Sequence, residues 1–89
     1  MNRAEITTDS INKAIRDLTD KINYRLDQKG HGTFASRHEI LGVLKEEFEE
    51  LSDAVTAKDG MLSVKEELLD IAVGAVFAIA CIEQGTLDW

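Results

Sequence analysis

Lys45-Glu46-Glu47-Phe48-Glu49-Glu50-Leu51 is matched further along the chain by Glu66-Glu67-Leu68-Leu69-Asp70, and the architecture follows from how these two segments pair. Both read as parts of amphipathic helices in which acidic side chains flank an apolar stripe. Residues three or four apart are neighbours on a helix. Glu46 therefore stacks on Glu50, Glu47 lies beside Glu50, and Glu67 beside Asp70. Two such helices packed antiparallel bring four or five carboxylates to one place.

Outward from these stretches, the helix boundaries follow from capping patterns. Ser36-Arg37-His38-Glu39 is a capping box, with Ser36 as N-cap and Glu39 reaching back. Ile40, Leu41, Leu44, Phe48, Leu51 and Val55 then share one face. At about 100° per residue, Glu47 falls on the edge of that face, Glu46 and Glu50 lie further round, and Glu49 points to solvent. Gly60, after Lys58 and Asp59, reads as the stop of this helix. Ser63-Val64-Lys65-Glu66 is a second capping box and opens the next helix, whose Val64, Leu68, Ile71, Ala75 and Ile82 line one side.

From Ile71 to Ile82 the chain is apolar all round, and such a helix must be covered on every side. Two other helices of a short chain do not suffice, so the sequence predicts self-association. Gly74, Ala75, Ala78 and Ala80 permit the close helix approach that a subunit interface needs. The run spans only about 18 Å as a helix, against the roughly 30 Å of a bilayer core. It is a buried helix and not a membrane span.

Upstream, from about Glu5 to Gln28, Ile11, Ile15, Leu18, Ile22 and Leu26 recur at steps of four and three, a narrow stripe of the bundle kind. Asn2 and Thr7 are alternative caps for its start. Lys13, Arg16, Lys21, Arg25 and Lys29 give this helix half of the chain's ten Lys and Arg residues. They read either as a solvated face paired with Asp9, Asp17 and Asp20, or as supplying one or two side chains, Lys21 and Arg25, that turn toward the acids and hold phosphate oxygens. Gly30-His31-Gly32-Thr33 breaks the helix and allows a sharp reversal. It falls well short of a P-loop, which needs a longer glycine pattern ending in Lys and Ser or Thr.

Composition narrows the function classes. A chain of 89 residues is one domain, 1–89, and its 44% apolar and 30% charged content is that of a folded protein. The net charge of −7 argues against a nucleic-acid polymer as partner, since that needs clustered Lys and Arg. A nucleotide substrate would require a divalent cation between it and the acids. The single Cys81 fits a reducing compartment and a small core position. The N-terminal stretch has no apolar h-region, and a cytoplasmic protein is expected. His31 and His38 straddle a loop and a cap and do not form a helical metal pair. Tyr24, Phe34 and Trp89 are available to stack on a base, although packing is the plainer reading of each.

The grouped acids are the feature that composition does not explain. Two carboxylates about 6 Å apart repel by roughly 0.7 kcal/mol in water and nearly 3 kcal/mol at an effective dielectric of 20. Four beside an apolar seam require protons or a cation. A hard dication suits oxygen-only ligands, and Mg²⁺ suits carboxylates combined with substrate phosphates. Zinc would recruit His or Cys, which are not placed for it.

Glu46-Glu47-x-x-Glu50 followed by Glu67-x-x-Asp70 resembles the paired-helix metal motif of the MazG-type all-α nucleoside triphosphate pyrophosphohydrolases, over about Glu39 to Gly85. The resemblance implies an all-α fold, here a three-helix protomer assembling into a homodimer or homotetramer with a four-helix-like bundle at its core. It implies Mg²⁺, with Mn²⁺ as a substitute, bound by Glu46, Glu47, Glu50, Glu67 and Asp70. It further implies hydrolysis of nucleoside triphosphates to the monophosphate and pyrophosphate, with Glu47 and Glu50 as catalytic groups. Relatives commonly continue into a helix carrying Lys, Asn or Arg for the phosphates, whereas this sequence ends at Trp89. The phosphate contacts are then expected from Lys21, Arg25, Arg37 and His38, or from a neighbouring subunit. The alternative is a catalytically silent helical oligomer that binds metal, nucleotide or a protein partner without turnover.

Overall fold

A computed structural model describes residues 3–57 and 60–87. They form three helices and, among the described residues, no strand: α1 (Thr8–Lys29), α2 (Arg37–Thr56) and α3 (Met61–Gln84). The all-α expectation is met at the level of the protomer. None of the helices is long and apolar enough to cross a membrane.

Local chemistry sets the boundaries. Thr7 is the cap of α1, its hydroxyl accepting from the Ser10 amide at 3.0 Å; the alternative, Asn2, lies outside the described residues. Ser36 caps α2 as expected, accepting from the Glu39 amide at 3.2 Å, while the Glu39 carboxylate takes the amide of Ala35 at 3.0 Å. The next boundary differs from the sequence reading. Helix α2 closes at Ala57, and Gly60 is the N-cap of α3, with extended φ and ψ of −63° and 158°. Ser63 therefore sits inside the first turn of α3, where its amide donates to the Gly60 carbonyl. Glu66 is left to find another partner. At the far end Gly85 adopts φ 69°, and Thr86 donates back to the Cys81 carbonyl at 3.0 Å, the left-handed closure that glycine permits without a Cβ clash.

Helix α3 is the central element, with α2 packed antiparallel on one flank and α1 parallel on the other; α1 and α2 do not pack against each other among the described residues. Gly74 fixes the α2–α3 approach. A Cβ built there would stand 3.0 Å from the Leu44 Cδ2 atom, so the two helices sit closer than a larger residue allows. Val73 is fully buried, joined by Ala54, Gly74, Ala78 and Cys81. The Cys81 thiol is a buried packing group that accepts from the Phe34 amide at 3.4 Å.

The Ile71–Ile82 run is only partly covered by its own protomer. Ile79 and Ile82 remain 57% and 61% exposed, and Phe48 on α2 64%. The radius of gyration, 15.1 Å, exceeds the roughly 12 Å expected of a compact domain of this length. The three helices leave a cleft open between them, lined by Arg25, Lys29, Glu39, Val43 and Phe77.

Candidate metal centre

The antiparallel packing of α2 on α3 sets Glu47 and Glu50 opposite Glu67 and Asp70. One carboxylate oxygen from each of the four lies within 4.8 Å of the others. Each pair occupies adjacent turns of its own helix, so a single inter-helix register aligns all four groups. Glu46 is exposed and lies outside this group: one residue step turns it about 100° from Glu47, away from the α3 side.

Two oxygens in the group, Glu47 Oε2 and Glu67 Oε2, are buried and have no hydrogen-bond donor. A buried acceptor without a partner costs about 1–3 kcal/mol, more if charged. Burial pushes the Glu47 carboxyl above its ordinary range, and the negative charges of Glu50, Asp70 and Glu67 push it further. Glu67 shifts the same way, through desolvation first and then through Glu50 and Asp70. Both carboxyls come within hydrogen-bonding reach of Glu50, which raises them further.

A divalent cation fits this donor set. All four donors are carboxylate oxygens, the ligand type of hard cations, and opposite ligands of a Mg²⁺ ion at about 2.1 Å stand about 4.2 Å apart. Glu47 Oε2 and Glu67 Oε2 are the unsatisfied atoms such an ion would engage. No His or Cys side chain belongs to the group, which disfavours zinc.

Helix α1 supplies the neighbouring positive charge. Lys21 Nζ donates to Asp70 Oδ1 at 2.8 Å and to Glu66 Oε2 at 2.7 Å. Burial alone would lower the Lys21 ammonium, but the bonds to Asp70 and Glu66 outweigh it and the net shift is upward. Further up α1, Asp17 bridges Lys13 and Lys65 at 2.8 Å each. The Lys13 bond, then the Lys65 bond, draw its carboxyl down to about 2. Arg25, one turn beyond Lys21, sets its guanidinium 6.0 Å from the centre of the Phe77 ring.

Of the residues expected to contact phosphate, Lys21 thus reaches the acids and Arg25 lies one turn away. Arg37 and His38 are exposed in the first turn of α2, roughly 14 Å along the axis from Glu47. Glu66 and Phe77 were not marked by the sequence. Glu66 could have been found one helical turn before Asp70, on a line that a single α1 lysine can serve. Searches of protein-family models, curated proteins and solved structures return no match to this chain.

Proposed function

We propose that the protein hydrolyses nucleoside triphosphates to nucleoside monophosphate and pyrophosphate with a divalent cation, Mg²⁺ or in its place Mn²⁺, held by Glu47, Glu50, Glu67 and Asp70. The observation that carries this reading is the convergence of four carboxylates around two buried, partnerless oxygens. When bound, the cation supplies charge neutralisation on the phosphate oxygens and a more acidic water. The chain's own groups do the rest. Glu50, the exposed member of the four, accepts the proton of the attacking water. Glu47 and Glu67 hold the cation from the buried side. Lys21 fixes Asp70 and presents its ammonium to the departing pyrophosphate.

The protomer works within a homo-oligomer on this reading. Exposed Phe48, Ile79 and Ile82 support a dimer or tetramer whose four-helix-like core covers the second side of α3. A cytoplasmic location suits a nucleotide-pool enzyme with a single buried thiol. The test is incubation with each NTP and dNTP plus Mg²⁺, measuring pyrophosphate and monophosphate. Equimolar release, lost in Glu47→Gln, is expected; no release from any nucleotide at high protein concentration refutes hydrolysis.

A second reading is favoured by the position of Arg37 and His38, far from the acids. It is a catalytically silent oligomer that binds the cation, a nucleotide or a protein partner without turnover. Stabilisation by Mg²⁺ together with no product formation selects it.

A further inference from the structure

The acidic centre sits where Glu47 and Glu50 of α2 meet Glu67 and Asp70 of α3. Further along α3 lies a cleft of about 360 Å³ bounded by Arg25 and Lys29 of α1, Val43 and Glu39 of α2, Phe34 of the connecting loop and Phe77 of α3. Helical spacing ties the two places together. Phe77 follows Asp70 by seven residues, which places it on nearly the same face of α3 and about 10 Å along the axis. On α1 the sequence Lys21, Arg25, Lys29 advances by single turns from the acids to the cleft. On α2 the sequence Glu47, Val43, Glu39 does the same in the opposite chain direction. All three helices therefore run one continuous line between the two sites.

The chemistry of the cleft differs from that of the acids. Arg25 and Lys29 outnumber Glu39, whose Oε1 already accepts from the Ala35 amide. The Arg25 guanidinium and the Phe77 ring sit 6.0 Å apart, a planar cation beside an aromatic face. Guanidinium planes and aromatic rings are the surfaces on which unpaired nucleobases stack. The volume lies within the range of small-molecule pockets. The interval from Asp70 to Phe77 matches the reach from the phosphate chain of a nucleoside triphosphate to its base.

We propose that this cleft is the nucleoside half of the substrate site: the base stacks against the Arg25–Phe77 pair while the phosphate chain extends along α3 to the acids. This rests on the reading of the acids as a cation–phosphate centre and assigns the substrate's direction along α3. It makes Phe77 and Arg25 binding residues that act on the nucleoside and not on the cation.

The experiment is isothermal titration of the Mg²⁺-loaded protein with α,β-imido nucleoside triphosphates in turn, and separately with inorganic tripolyphosphate, which lacks a nucleoside. Wild type should bind at least one imido nucleotide more tightly than tripolyphosphate, by about fivefold or more for a base stacked on an aromatic group. Phe77→Leu keeps the apolar volume but removes the ring. It should bring nucleotide affinity down to that of tripolyphosphate, leaving tripolyphosphate and Mg²⁺ binding unchanged; Arg25→Met should act in the same direction. Equal affinity for both ligands in wild type, or a nucleotide preference that survives both variants, overturns the assignment while leaving the cation centre standing. Loss of tripolyphosphate binding in Phe77→Leu also overturns it, because the ring would then be serving the fold or the phosphates. Failure of wild type to bind Mg²⁺ or either ligand removes the cation–phosphate reading and this inference with it.

Discussion

Replacing Glu47 by Gln should stabilise the metal-free protein and abolish its response to Mg²⁺, a reversal of sign that a packing role cannot produce. At 4.8 Å, two ionised carboxylates repel by about 3.5 kcal/mol at an effective dielectric of 20 and about 0.9 kcal/mol in water. Glu47 faces three such groups, so the water-like limit alone gives roughly 2.6 kcal/mol. The solvent exposure of Glu50 screens part of this. A gain of about 1–2 kcal/mol should remain, or roughly 5–15 °C in melting temperature for a domain of this size. The new amide can also donate to the neighbouring carboxylates. In wild type, Mg²⁺ at a hundred times its dissociation constant should add about 2.7 kcal/mol, and Glu47→Gln should lose most of that gain. Scanning calorimetry of both proteins at pH 7.5, in EDTA and in Mg²⁺, reads all four values. A variant that melts below wild type in EDTA, or that keeps the full Mg²⁺ shift, refutes the reasoning.

Three further outcomes follow from the same geometry. Because Glu47 and Glu67 have raised pKa values in the fold, the folded state holds more protons than the unfolded chain, and metal-free stability should fall as pH rises from about 4.5 through the folded values; melting curves in EDTA check this, and Mg²⁺ should flatten the decline. Asp17 has the opposite sign: its contribution is present above its ordinary 3.8 and is lost as pH falls toward about 2, so Asp17→Asn should blunt that part of the acid unfolding curve. Gly74→Leu should force α2 off α3 against Leu44, destabilise by roughly 1–3 kcal/mol and weaken Mg²⁺ stabilisation as well, whereas a loss of stability with the Mg²⁺ shift intact would show that the register of the acids does not depend on this contact.

The acid pairs were legible because they depend on one helix at a time: Glu47 with Glu50, and Glu67 with Asp70, follow from the three-residue spacing alone. Which acids turn inward depends on the rotation of α2 about its own axis, set by the Leu44–Gly74 approach, and no spacing rule reports that; hence Glu46 was included by the sequence and lies outside. The cap of α3 was misplaced because Gly60 and Ser63 are both competent N-caps three residues apart, and the Gly60 choice leaves Glu66 to pair with Lys21 instead of with its own helix end. That ion pair joins residues far apart in sequence, as does the Arg25–Phe77 contact, so neither could be read from local pattern. The all-apolar Ile71–Ile82 run was recognised, and α1 and α2 leave Ile79 and Ile82 exposed.

Titration of Mn²⁺ followed by electron paramagnetic resonance reports on the four-carboxylate centre itself, because the sharp signal of the free aqueous ion disappears on binding to the protein. Substoichiometric Mn²⁺ should lose that signal in wild type, and a Glu67→Gln, Asp70→Asn double variant that remains folded should restore it. A free-ion signal undiminished by excess wild-type protein would contradict the account.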